Sequence, residues 1–280
     1  MIEQMDTGVA ATALLLVLLA GLGTGMGGLI PLVMARTSGW LLGPALGFSA
    51  GVMIYVALVR LLPAALEAME EGGAGAGAAG DGGAAWAAKL AFIAGLGLMA
   101  LLDMLVPAVR RGNGHAAVAS PDAAAAGTVH RPLGRTAMFA AGAIVIHNIP
   151  EGVATFTVAA GDLMLGLAVA LAMAIRNIPE GLAIAVPVYY ATGSRLKGLG
   201  LSILAGLAEP LGAAGAFILL AVFFSPALVP MVMAAVAGML VFLAFSELVA
   251  TAQRFGQPRR AIGGLLLGIA AMAVVLLVAG

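Results

Sequence analysis

The sequence predicts an all-α integral membrane protein of eight transmembrane helices. Composition is the first reason: of 280 residues 62% are hydrophobic and only 9% charged, where a soluble domain carries roughly 25% charged residues. The second is that eight separate stretches reach the about 20 mostly apolar residues needed to cross a hydrocarbon core. The third is that the ionisable residues inside those stretches collect near one depth on three of them. Cysteine is absent, which excludes disulfides, thiolate metal sites and cysteine nucleophiles and leaves carboxylate, imidazole, amide and thioether as ligand chemistry.

Taken in order, the first helix is expected near 8–35. The acidic opening Met1-Ile2-Glu3-Gln4-Met5-Asp6 and the lack of a cleavage pattern mark it as mature helix and not a signal peptide. Its run Gly21-Leu22-Gly23-Thr24-Gly25-Met26-Gly27-Gly28 suits close backbone contact in lipid. No strand precedes it, so it is a poor nucleotide fingerprint. The second helix, near 40–66, carries Arg60; the third, near 84–108, carries Asp103. The fourth (136–159) and fifth (163–190) carry His147-Asn148-Ile149-Pro150-Glu151-Gly152 and Arg176-Asn177-Ile178-Pro179-Glu180-Gly181. The sixth (196–222) holds Glu209, the seventh (226–250) holds Glu247, and the eighth (260–279) returns the chain to its starting side. The connection 67–85, nearly all Gly and Ala after residue 71, and the connection 109–135, with Arg110, Arg111, His115, His130, Arg131 and Arg135, read as flexible loops within a single transmembrane domain, 1–280.

Basic residues set the orientation. Ten of the thirteen Lys and Arg follow helices one, three, five and seven, against Lys89 alone on the other side. Loops rich in Lys and Arg stay cytoplasmic, so both termini and the 67–85 loop are expected outside and the 109–135 loop inside. The outer face gathers Glu3, Asp6, Glu67, Glu70, Glu71, Asp81 and Asp162, which attracts cations or is simply solvated.

Eight ionisable residues remain inside the bilayer: Arg60, Asp103, His147, Glu151, Arg176, Glu180, Glu209 and Glu247. Each costs a few kcal/mol there, so each is a functional candidate. His147 and Glu151 share a helix face at i and i+4, and Asn148 and Glu151 share the next at i and i+3. Pro150 and Pro179 deprive the carbonyls of Ile146 and Ile175 of their helical partners, which favours kinks beside the site. Three carboxylates at one depth repel one another unless a cation lies among them. With Glu151, Glu180 and Glu209 ionised, Arg176 charged and His147 neutral, the midplane carries −2, which one divalent cation balances. The donor set suits Zn²⁺, Fe²⁺, Mn²⁺, Co²⁺ or Cd²⁺. A purely structural hydrogen-bond network is the bland alternative. An intramembrane hydrolase is disfavoured, because H-E-x-x-H, a second nearby histidine and a base-paired serine are all missing.

These residues resemble the ZIP (Zrt/Irt-like) family of divalent metal transporters, particularly its bacterial zinc-uptake branch. The likeness lies in Gly51-Val52-Met53-Ile54-Tyr55, the paired Asn-Ile-Pro-Glu-Gly motifs, Pro187-Val188-Tyr189-Tyr190-Ala191-Thr192-Gly193-Ser194 and Gly206-Leu207-Ala208-Glu209-Pro210-Leu211-Gly212. The resemblance implies an inverted-repeat bundle of eight helices in the bacterial inner membrane. It implies a transporter and no enzyme, with divalent metal ions and the lipid bilayer as partners, no nucleic acid, and room for a homodimer. It also implies a two-metal midplane site, the first metal on His147, Glu151, residue 176 and Glu180, the second on Asn148, Glu151, Asn177, Glu180 and Glu209. Met53 and Arg60 would line the entrance, and Asp103 and Glu247 the exit. Family members often carry a histidine-rich loop between helices three and four, where this chain offers only His115 and His130. Two departures matter more. Residue 176 is usually histidine in that branch, and an arginine has no lone pair to give a metal. A mononuclear site, with the guanidinium replacing one metal's charge, is therefore expected. Arg60 stands where an acidic residue is common, placing positive charge on the entrance. A slow or regulatory metal-binding variant is the alternative reading.

Overall fold

The structure is a computed structural model that describes residues 7–33, 39–71, 83–105, 132–161, 163–222, 228–250, 252 and 258–279. Among the described residues it is helical throughout, with no strand. Eight rods follow one another. They are α1 (Thr7–Val33), α2 (Gly39–Tyr55, a π-helical Val56–Leu61, then Leu62–Glu71), α3 (Gly83–Leu105) and α4 (Pro132–Gly161). Then come α5 (Leu163–Thr192), α6 (Arg195–Gly206 and Ala208–Val222), α7 (Leu228–Leu243 with a π-helical Ala244–Val249) and α8 (Pro258–Ala279). Seven are long and apolar enough to cross a membrane. The other, α4, has the length at 30 residues and carries the polar run from His147 to Glu151.

The helices intrude on both expected loops. Leu62–Glu71 remains helical because Ala, Leu, Glu and Met are strong helix formers, and Ala65 and Met69 bury against Ala88, Ala91 and Ala234. Helix resumes at Gly83, so only 72–82 of the 67–85 connection lies outside the described residues. Of 109–135, residues 132–135 belong to α4, which opens on Pro132, a residue suited to a first helical turn because its missing N–H would be unpaired there anyway. Residues 109–131, with His115 and His130, lie outside the described residues.

Neither Pro150 nor Pro179 ends its helix; α4 and α5 run on past both. The interruption falls in α6, at Leu207. Pro210 has no N–H to offer the Gly206 carbonyl four residues back, so the ladder opens there, two residues before Glu209. The α5–α6 turn is made by Gly193 at φ 68°, which only glycine adopts freely, and Ser194 caps α6 by accepting from the Lys197 N–H at 3.3 Å.

Packing is arranged in related pairs. The helix α1 lies along α5 and α4 along α6; α2 lies along α8 and α3 along α7. Glycines let these backbones meet. Gly21 of α1 and Gly206 of α6 each sit against the other's carbonyl, the reciprocal contact expected where a two-fold axis passes. The main apolar core joins Met53 of α2, Met173 of α5, Leu240 of α7 and Met272 of α8. On the outside, α3 and α8 expose Leu90, Ile93, Leu101, Leu266 and Leu267, a surface for lipid.

Candidate metal centre

The centre is built first from backbone contacts. A side chain on Gly152 of the first motif would run into the Glu209 carbonyl, and one on Gly212 into that of Ile149. Only glycine lets α4 and α6 come this close. The second motif repeats the arrangement against α1, with Gly181 on the Thr24 carbonyl and Gly27 on that of Ile178. The motif asparagines then bridge the same helix pairs. The Asn148 amide donates to the Ala205 carbonyl at 3.0 Å, and the Asn177 amide to the Ala20 carbonyl at 2.8 Å. Each amide is thereby turned so that its Nδ2 faces a backbone and its Oδ1 points away from it. Asn177 Nδ2 also donates to Glu209 Oε1, tying α5 to α6.

Charge is organised around Arg176, which is fully buried. Its Nη1 lies 2.5 Å from Glu151 Oε2, and its Nη2 is bonded to Glu180 Oε1. One guanidinium thus bridges the carboxylates of both motifs. Met173 Sδ, 3.5 Å from Nη1, lies one turn back on the same face, and Ser49 Oγ of α2 donates to the Arg176 carbonyl at 3.1 Å. A buried charge is tolerable only when paired and hydrogen-bonded, and this one has two counter-charges. Beside it lies a cavity of about 20 Å³, lined by His147, Glu151, Glu180 and Met53 with Leu46, Ile144, Ala183, Leu243 and Leu248. That is room for one or two waters, or for one ion.

Four oxygens of the asparagines and carboxylates are unspent. Asn148 Oδ1, Asn177 Oδ1, Glu180 Oε2 and Glu209 Oε2 are buried with no hydrogen-bond partner among the described residues. Leaving a buried acceptor unsatisfied costs about 1–3 kcal/mol, so four in one region call for a ligand. Among the described residues no three His, Asp or Glu side chains stand in a ready metal-holding group, and the guanidinium already engages Glu151 and Glu180.

The remaining candidates separate. Met53 stands in the cavity wall. Arg60 lies in the π-helical turn of α2, half-buried, and its Nε has no hydrogen-bond partner among the described residues. Asp103, half-buried near the end of α3, interacts electrostatically with His147 and so couples to the centre from outside it. Glu247 lies in the π-helical turn of α7. Several residues at the centre carry no charge and were not singled out by sequence: Ser49, Met173, Ser202, whose Oγ donates to the Gly181 carbonyl at 2.8 Å, and the buried hydroxyls of Thr24 and Thr155. Their one sequence signal is a hydroxyl or thioether in an apolar helix near a motif.

The family model described as ZIP Zinc transporter matches residues 127–276. A protein of Chlorobium phaeovibrioides named zinc transporter ZupT is 44% identical over 265 residues, 95% of this chain and 97% of its own. The chain belongs to the ZIP family. Two further ZIP relatives of the same name come from Akkermansia muciniphila, 44% identical over 94% of this chain and 96% of its own, and Corynebacterium glutamicum, 43% identical over 94% and 97%. The region matched by the ZIP model runs from before α4 to within α8 and so contains both motifs and Glu209, while the ZIP relatives extend the likeness over nearly the whole chain.

Proposed function

We propose that this ZIP protein carries divalent metal cations, Zn²⁺ foremost, through the bilayer and into the cytoplasm. The observation that carries the reading is the set of unspent buried oxygens on Asn148, Asn177, Glu180 and Glu209, with two of them turned inward by amide bonds to helix backbones. The names of its relatives supply the ion. In this reading α4, α5 and α6 hold one ion between Asn148, Glu151, Asn177, Glu180 and Glu209. Arg176 takes the place of a second ion by engaging Glu151 and Glu180 with its two terminal nitrogens, and His147 with Met53 lines the approach through the cavity. Alternating access, in which one helical group rocks against the other, moves the ion past Asp103 and Glu247. The membrane is the bacterial inner membrane with both termini outside, as the basic loops require. The exposed faces of α3 and α8 serve lipid or a second copy.

The test is flux in proteoliposomes. Purified protein should accumulate Zn²⁺, and Glu209→Ala and Glu180→Ala should abolish accumulation; unchanged flux in both sinks the reading. The double engagement of Arg176 also favours a second reading, a slow or regulatory metal-binding variant. It predicts metal binding at full stoichiometry with turnover that rises when Arg176 is replaced by histidine.

A further inference from the structure

The contacts at the centre obey one rule of correspondence. Asn148 donates to Ala205 and Asn177 to Ala20. Gly212 abuts Ile149 and Gly27 abuts Ile178; Gly152 abuts Glu209 and Gly181 abuts Thr24. Each α1 residue therefore answers the α6 residue 185 positions later, and each α4 residue the α5 residue 29 later, as subtraction of 24 from 209 and of 148 from 177 shows. The reciprocal Gly21–Gly206 contact marks the axis. On that axis the counterpart of Glu209 is Thr24.

Thr24 is fully buried, and its Oγ1 has no hydrogen-bond partner among the described residues. The usual refuge of a helix hydroxyl in lipid is the carbonyl four residues back, and Thr12, Thr157, Thr192 and Ser202 all use it. For Thr24 that carbonyl is Ala20's, which the Asn177 amide takes. Its Cβ lies near where a side chain on Gly206 would begin, at the break in α6 that precedes Glu209. The hydroxyl is thus left over, dry, and placed by the fold where the other half of the repeat sets a carboxylate.

We propose that the Thr24 hydroxyl is a neutral oxygen ligand of the transported divalent cation, completing from α1 the half-site that Asn177 and Glu180 begin, and that it biases the centre toward oxygen-seeking ions. The inference rests on the metal-transport reading above. A hydroxyl favours Mn²⁺ or Zn²⁺ over the softer Cd²⁺, whereas a thiolate reverses that order.

Because the chain has no cysteine, Thr24→Cys places a single thiol at the position. The experiment titrates purified full-length protein, Thr24→Cys, Thr24→Val, Thr24→Ser and the control Thr12→Cys with Mn²⁺ and with Cd²⁺. Binding is followed by equilibrium dialysis and the cadmium–thiolate charge-transfer band by ultraviolet absorption. Thr24→Cys should give the band and Thr12→Cys should not. Thr24→Val should weaken Mn²⁺ about 10-fold and Cd²⁺ less, while Thr24→Ser binds like the unsubstituted chain. Cd²⁺ binding to Thr24→Cys without the band overturns the proposal, as does a Ser variant as impaired as the Val variant, since that would make Thr24 a packing residue. If the unsubstituted chain binds neither ion, the transport reading itself fails and takes this one with it.

Discussion

Replacing Arg176 by histidine tests the charge arithmetic at the centre most directly. In the structure one guanidinium neutralises Glu151 and Glu180 together, fully buried and bonded to both. A neutral imidazole leaves those carboxylates facing each other, and removing one partner of a buried ion pair costs about 3–5 kcal/mol. That is a large share of the about 5–15 kcal/mol that holds a typical fold, so in chelator the variant should melt lower by on the order of 10 °C. The imidazole can also ligate a metal, which arginine cannot. Zn²⁺ at 100 times the dissociation constant of the new site should restore about 2.7 kcal/mol and shrink the gap to roughly 0–2 kcal/mol, while elemental analysis shows bound Zn²⁺ rising from one to two per chain. Thermal unfolding in detergent, with and without Zn²⁺, reads the first quantity. The reasoning is refuted if the variant is as stable as the parent in chelator, or if its metal content stays at one.

Three further outcomes follow from the geometry. Gly152→Ala drives a methyl into the Glu209 carbonyl and must part α4 from α6, costing about 1–3 kcal/mol and most of the flux. Gly97→Ala, with nothing near its added carbon, should leave thermal stability and flux unchanged. Ser49→Ala removes the 3.1 Å bond to the Arg176 carbonyl, and should lower stability by about 1 kcal/mol without changing metal stoichiometry. Asn148→Leu deletes both the bond to Ala205 and the unspent Oδ1; it should raise the Zn²⁺ half-saturation concentration about 10-fold, and an unchanged value would remove Asn148 from the site.

The helices and the motif pair were legible because their signals are local. A stretch of about 20 apolar residues is bounded by its own composition, and His147, Asn148 and Glu151 share faces by spacing alone. The helical extensions at 67–71 and 132–135 were missed because Gly- and Arg-rich neighbours masked them: a helix end follows capping and packing, such as Met69 against Ala88, which composition does not show. The break at Leu207 was also missed. It depends on Pro210 acting on Gly206, the same mechanism that was assigned to Pro150 and Pro179, whose helices instead continue. Arg176 read from sequence was a lost ligand with two candidate partners, Glu151 or Glu180. That it reaches both is a matter of tertiary geometry.

Across the two halves, what is shared and what differs divide by role. The positions that match hold the backbones: Ala20 and Ala205 accept the two amides, Gly27 and Gly212 receive Ile178 and Ile149, and Gly181 and Gly152 admit the opposing carbonyls. None of these tolerates change without parting two helices. The positions that differ are His147 against Arg176 and Thr24 against Glu209, side chains that end in the interior of the centre. Both differences move in one direction. Putting arginine for histidine adds one positive charge, and threonine for glutamate removes one negative. A fully symmetric centre built on histidine and glutamate would carry four carboxylates and −4, enough for two divalent ions. With both exchanges the charge is −2, enough for one. The packing of the repeat therefore leaves the ion count to two side chains, and exchanging Thr24 and Arg176 singly should each shift it by less than exchanging both.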